Sequence, residues 1–236
     1  MKRISIILAF SFILSIGISQ TEKYWSGGSE TIFGFATIDD DGNSSGSVMR
    51  FAPVLNLQGM YNIDLGKNFG FFTGLGLRNV GYIYDNYKTY NDPNDPEDIT
   101  YVKKKFRTYN LGVPVGLKLG KLDKLFIYGG YEVEYAFNYK EKTFEGGQKT
   151  KFVEWFTDRA EPFQHGFLVG IQLPYGSNIK FKYYLSSFHN QDYLDKNTGQ
   201  KPYENLNTNI FYFSLNYNLF KNANSYKSKT GNKDFH

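Results

Sequence analysis

The run Phe211-Tyr212-Phe213-Ser214-Leu215-Asn216-Tyr217-Asn218-Leu219 decides how the rest of the chain is read. Phe211, Phe213, Leu215, Tyr217 and Leu219 fall on one side of an extended backbone, and Tyr212, Ser214, Asn216 and Asn218 fall on the other. Successive side chains of a strand point to opposite faces, so this alternation predicts a strand with one apolar and one polar face.

The same division repeats upstream. Phe51, Leu55, Leu57, Tyr61 and Ile63 oppose Arg50, Asn56, Gln58, Asn62 and Asp64, and Phe69, Phe71, Leu75 and Leu77 oppose Gly70, Gly74, Gly76 and Arg78. Further on, Leu111, Val113, Val115 and Leu117 oppose Asn110, Gly112, Gly116 and Lys118, and Ile127, Tyr131, Val133 and Tyr135 oppose Gly130, Glu132 and Glu134. Phe167, Val169 and Ile171 oppose Gly166, Gly170 and Gln172, and Ile179, Phe181 and Tyr183 oppose Lys180 and Lys182. With a weaker strand around Thr31 and Thr37 the expected count is eight.

Connections near 66–68, 120–124 and 175–178 are short, whereas 38–47, 85–100, 140–160 and 189–207 are long and polar. Short turns at one end, long loops at the other and an even strand count are the pattern of an outer-membrane barrel with both termini in the periplasm. The expected fold is all-β: an eight-stranded antiparallel up-and-down transmembrane β-barrel that follows a cleaved signal peptide.

The chain start supports export. Lys2 and Arg3 precede an apolar run over residues 4–18, with small residues at Gly17 and Ser19. A membrane helix wants about 20 apolar residues, so this run reads as a signal cut after Ser19. The expected division is a signal peptide over 1–19, a periplasmic lead-in over 20–29, the barrel over 30–220 and a polar tail over 221–236. The absence of Cys excludes disulfides, a lipoprotein anchor and thiolate metal sites. Abundant Phe and Tyr suit strands, and a net charge of +4 is too small to argue for nucleic acid.

The orientation of the two faces follows from size and charge. An eight-stranded lumen holds little beyond modest side chains. The glycine-bearing face fits inside it, and that face also carries Arg50, Arg78, Lys118, Glu132, Glu134, Lys180 and Lys182. A Lys or Arg at the bilayer midplane costs roughly 2–4 kcal/mol, whereas in a lumen acids and bases pair. These seven residues are the predicted lumen polar network, in a filled interior without an open channel. Tyr82, Tyr84, Tyr101, Tyr109, Tyr135, Tyr139, Tyr175 and Tyr217, near strand ends, are candidates for interfacial girdles.

The signal, the Tyr109-Asn110-Leu111-Gly112-Val113-Pro114-Val115-Gly116-Leu117-Lys118 segment, the glycine-rich Phe71-Phe72-Thr73-Gly74-Leu75-Gly76-Leu77 strand and the closing strand at Phe211 resemble the PorT-like outer-membrane β-barrel proteins of the Bacteroidota. The resemblance spans nearly the whole mature chain as a pattern with a few loose motifs. It implies eight antiparallel strands in the outer membrane and no single activity, and no catalytic residue carries over. The chain departs from the many barrels that end on an aromatic residue, because the tail over 221–236 follows Phe220.

Other chemistry is sparse. Ser187 and His189 share a strand face and offer the start of a nucleophilic site, which makes a lipid-modifying hydrolase of the outer membrane the second class. A secreted lipocalin-like carrier is the third. Asp92, Asp95, Glu97 and Asp98 supply hard oxygens for a divalent cation, but with Pro93 and Pro96 they read more simply as a solvated loop. Lys103, Lys104, Lys105 and Arg107 sit at the expected outer rim, where lipopolysaccharide phosphates are one partner and water the other. The leading expectation is an integral outer-membrane protein without enzymatic activity, in contact with lipid and lipopolysaccharide. An unidentified envelope protein is a further possible partner, and no cofactor, metal or nucleic acid is expected.

Overall fold

Strand pairing closes on itself. The computed structural model describes residues 21–90, 99–196 and 198–218. Its strands are β1 (Thr21–Asp40), β2 (Asn43–Gly46), β3 (Arg50–Ala52), β4 (Leu57–Leu65), β5 (Phe69–Tyr90), β6 (Ile99–Lys121), β7 (Leu125–Glu145), β8 (Gln148–Trp155), β9 (Phe163–Gln172), β10 (Ser177–Tyr184) and β11 (Leu206–Asn218). Eight of them, β1, β4, β5, β6, β7, β9, β10 and β11, pair in that order, each antiparallel to the next. The ring shuts where β11 meets β1, with Phe211 opposite Phe35. Closure satisfies both edges, which is the condition for strands to sit in a solvent without hydrogen-bonding groups.

Three connections are tight: the turn with Gly66, the turn after Lys121 and a 3-10 turn at Pro174–Gly176. At the opposite end β2 and β3 lie against β1, and β8 continues the sheet beside β7. The sheet therefore rises past the barrel where the sequence pattern suggests long loops, since β7 and β8 form a hairpin over part of 140–160.

The outer surface is apolar. On β6, Leu111, Val113, Val115, Leu117 and Leu119 are about half exposed, and the alternate positions Asn110, Gly112, Pro114, Gly116 and Lys118 are buried. Phe163, Phe167, Val169 and Ile171 do the same on β9, and Phe213, Leu215 and Tyr217 on β11. From Leu111 to Leu119 the strand advances ~27 Å at ~3.4 Å per residue, or ~20 Å along the axis at the ~40° tilt usual for such barrels. That approaches the height of an outer-membrane barrel's apolar band.

Four sequence expectations change. The first strand is longer than a segment around Thr31 and Thr37. Residues 21–29, expected as a lead-in, belong to β1 and pair with β4, because Trp25 and Tyr61 pack ring to ring across that pair. The alternation from Arg50 to Asp64 is also not one strand: β3 stops at Ala52, and Leu55 takes a positive φ of 61° before β4 begins. Of the candidate girdle residues, Tyr101, Tyr135, Tyr175 and Tyr217 face outward, but Tyr82, Tyr84 and Tyr139 are buried inside. Tyr82 and Tyr84 continue the inward even-numbered side of β5. Tyr139 is turned in by a bulge, since Asn110 pairs with Ala136 and Tyr109 with Asn138, leaving Phe137 extra. Finally, Lys103, Lys104, Lys105 and Arg107 do not form one rim, because Lys104 points inward to Glu141 at 2.7 Å. The signal over 1–19, the tail over 221–236 and the acidic run Asp92, Asp95, Glu97 and Asp98 lie outside the described residues.

Candidate functional site

The lumen is filled in two storeys. In the lower one, β5, β7 and β10 project alternate residues inward, and Arg78, Glu132, Glu134, Lys180 and Lys182 meet there. The Arg78 guanidinium lies 3.3 Å from Glu132 Oε1 and 3.7 Å from Glu30 Oε1, and its Nη1 donates to the Leu57 carbonyl at 3.0 Å. Lys182 Nζ bridges Glu132 at 2.7 Å and Glu134 at 2.6 Å, and Lys180 pairs with Glu30. Glu134 Oε2 also accepts from Asn110 and from the Tyr184 hydroxyl, each at 2.8 Å.

Three cations thus face three carboxylates, so the layer carries no net charge and each ion's burial cost is offset by partners. Glycine makes the room: a Cβ on Gly112 would lie 2.8 Å from Glu132 Oε1, and one on Gly76 would lie 2.6 Å from Arg78 Nη1. Nearer the tight turns Lys118 pairs with Asp64 and donates to Asn62 Oδ1 and to the Tyr24 hydroxyl at 3.1 Å. A vestibule lined by Tyr24, Asn62, Phe72, Lys118, Tyr128 and Asn178 opens below the ionic layer.

Arg50 stands apart from this network. Its guanidinium donates to the backbone oxygen of Asn79 at 3.0 Å and also pairs with the Asn79 side chain, because β3 is a short flap and not part of β4. Sequence reading missed Glu30 as a network member and left Asp64 outside it. Glu30 falls inside the expected barrel span but just before the weak first strand around Thr31 to Thr37, although its place one residue before Thr31 on the polar side was a usable signal. Asp64 was on the polar face, and only the lumen shows that Lys118 reaches it.

The upper storey is aromatic. Tyr82, Phe106, Tyr139, Phe188, Tyr203 and Tyr212 are almost fully buried, with His189 among them. The segment between β10 and β11 folds back into the mouth: the His189 ring stacks on Tyr203 with centroids 4.2 Å apart, and its Nε2 hydrogen-bonds the Tyr82 hydroxyl at 2.9 Å. Arg159 fastens the rim by donating to Asp195 at 2.8 Å. Burial pushes His189 down to about 3, with the backbone of Arg159 only partly offsetting it. Burial likewise pushes the Tyr203 phenol up to about 12. Both groups are neutral at pH 7. Ser187 does not join His189: its Oγ accepts from the Thr208 backbone N–H at 3.3 Å, while the imidazole is committed to Tyr82. The dyad on which a hydrolase reading rested is not assembled.

Among the described residues no group of three or more His, Asp or Glu side chains could hold a metal ion. What the geometry defines is a closed β-barrel that is apolar outside, ionic within and capped by aromatics. No protein-family model matches the chain, and no curated protein resembles it in sequence. Among solved structures it is similar to Ail, the attachment invasion locus protein of Yersinia pestis, crystallised with the heparin analogue sucrose octasulfate. That match has 11% identity and a TM-score of 0.36 over 85% of this chain and 100% of that one. It is also similar to Neisserial surface protein A, NspA, with 11% identity and a TM-score of 0.34 over 84% of this chain and 99% of that one. Likenesses this distant leave the fold to the strand pairing described above.

Proposed function

We propose that this chain is an integral protein of a bacterial outer membrane, without enzymatic activity, that serves as a structural or partner-binding element of the envelope. The supporting observation is the band of exposed Leu, Val, Ile and Phe on the outer face of β4, β5, β6, β7, β9, β10 and β11, in a closed ring whose interior holds the charges. Water as the outer solvent would leave that band exposed at a cost on the order of 25 cal/mol per Å² of apolar surface, whereas hydrocarbon removes the cost. A lipocalin-like carrier would require an apolar interior, and here Arg78, Glu132, Glu134 and Lys182 occupy it.

With the tight turns at the periplasmic side, both termini are periplasmic and the β7–β8 hairpin faces outward from the cell. The Tyr109 to Lys118 motif supports a place among the PorT-like barrels of the Bacteroidota. Lipid and lipopolysaccharide are then the immediate partners. Membrane fractionation with gel mobility before and after boiling tests the reading. The expected result is an outer-membrane band that shifts on heating, and a folded monomer that stays in buffer without detergent would overturn it.

A further inference from the structure

One surface outside the lumen has no role in closing the barrel. Register places Lys105 of β6 opposite Lys142 of β7, and Lys142 opposite Lys151 of β8. One outward-facing step nearer the apolar band, Arg107 is opposite Lys140. One step farther, Phe144 stands between Lys103 and Lys149. Lys103 is paired with Asp85 at 2.7 Å. Among the described residues, Lys105, Arg107, Lys140, Lys142, Lys149 and Lys151 make no ion pair, and the nearby carboxylates Glu141 and Glu154 are taken by Lys104 and Arg159.

Like charges directly opposite on neighbouring strands destabilise a sheet. Lysines on an edge strand can be explained as guards against unwanted pairing, which covers Lys149 and Lys151 of β8. That account does not reach Lys105, Arg107, Lys140 or Lys142, whose strands are paired on both sides at these positions. The repulsion therefore calls for an external anion.

Position identifies the anion. Immediately below the cations lies a row of stacked rings: Tyr109 to Phe137 at 6.4 Å and Phe137 to Trp155 at 6.0 Å, with Trp155 60% exposed. Aromatic rows of this kind mark the boundary between hydrocarbon and headgroups. Arg107 is two residues above Tyr109, ~7 Å along the strand at ~3.4 Å per residue, and its guanidinium stacks 4.2 Å from the Tyr109 ring. The lowest cations thus lie at headgroup depth, on the lipid-facing side of the sheet.

We infer that the outward face of β6, β7 and β8 binds the phosphate groups of a phosphorylated outer-leaflet lipid. This rests on the membrane reading above. Lys105, Arg107, Lys140 and Lys142 form the phosphate contacts, and Tyr109, Phe137 and Trp155 lie against the acyl-chain boundary.

The test uses the full mature chain refolded into phosphatidylcholine nanodiscs containing either bis-phosphorylated lipid A or its dephosphorylated form, with retained lipid counted by native mass spectrometry. A cation near an anionic surface contributes about fivefold to binding. The combined variant Lys105→Gln, Arg107→Gln, Lys140→Gln and Lys142→Gln is expected to lower retention of the phosphorylated lipid by more than tenfold. A control, Lys121→Gln with Lys124→Gln at the tight-turn end, is expected to change nothing. The dephosphorylated lipid is expected to be retained equally by all three proteins. Equal retention of both lipids by the wild type, or no loss in the combined variant, would overturn the assignment. Heat-modifiable mobility of each protein separates the two readings: a barrel that inserts but ignores phosphate defeats only this site, and one that never inserts defeats the membrane reading as well.

Discussion

Glu132 accepts from Arg78 and Lys182 at once, in a lumen where its side chain has no exposure. Removing one partner of a buried pair typically costs about 3–5 kcal/mol, because the surviving charge stays desolvated. Glu132→Gln is therefore expected to lower the urea unfolding free energy of the refolded barrel by about that much, and adding Lys182→Met is expected to recover part of the loss. A double variant that loses the sum of the losses of Glu132→Gln and Lys182→Met alone would mean that the two residues do not interact.

His189 gives a pH dependence of definite sign. Its folded pKa of about 3 lies below the unfolded value near 6.5, so between these limits only the unfolded chain takes the proton. Its contribution is complete above pH 6.5 and is lost as pH falls towards 3, at up to about 1.4 kcal/mol per unit. Unfolding curves at pH 7 and pH 5 should show this slope in the wild type and a flatter one in His189→Gln.

Among the elements, β7 shows how one residue reassigns a face. Below Phe137 the even positions Glu132 and Glu134 point inward; above it Tyr139 does. The bulge lets β7 feed the ionic layer, then the aromatic plug, while turning Lys140 and Lys142 outward. Deleting Phe137 leaves Glu134 and Tyr139 facing in and should preserve the heat-modifiable band. Deleting Val133 turns Glu134 out of the lumen, away from Lys182, and should abolish that band. The outer continuation of β5 behaves more simply, since its even-numbered positions stay inward from Gly70 to Tyr84. Those tyrosines read as girdle residues in the sequence because strand length beyond the apolar band was invisible there.

At the scale of the molecule, the alternation from Phe69 onward marks six strands, and with the pattern from Arg50 to Asp64 and the weaker one around Thr31 to Thr37 it was enough to predict eight antiparallel strands and which face meets lipid, because a period of two and the size of the lumen leave one arrangement of greasy and charged sides. Five of the seven predicted lumen residues, Arg78, Glu132, Glu134, Lys180 and Lys182, meet in one layer; Lys118 lies below it, and Arg50 is diverted to Asn79. Glu30 and Asp64 complete the charge balance, and the fold of 185–205 into the mouth brings His189 onto Tyr203. Periodicity along the chain determines which side of a strand a residue occupies, and the sequence carried that by itself. Only the tertiary structure decided which residues meet across the lumen and which cations line up outside it, because those contacts depend on register between strands and on where a bulge resets it.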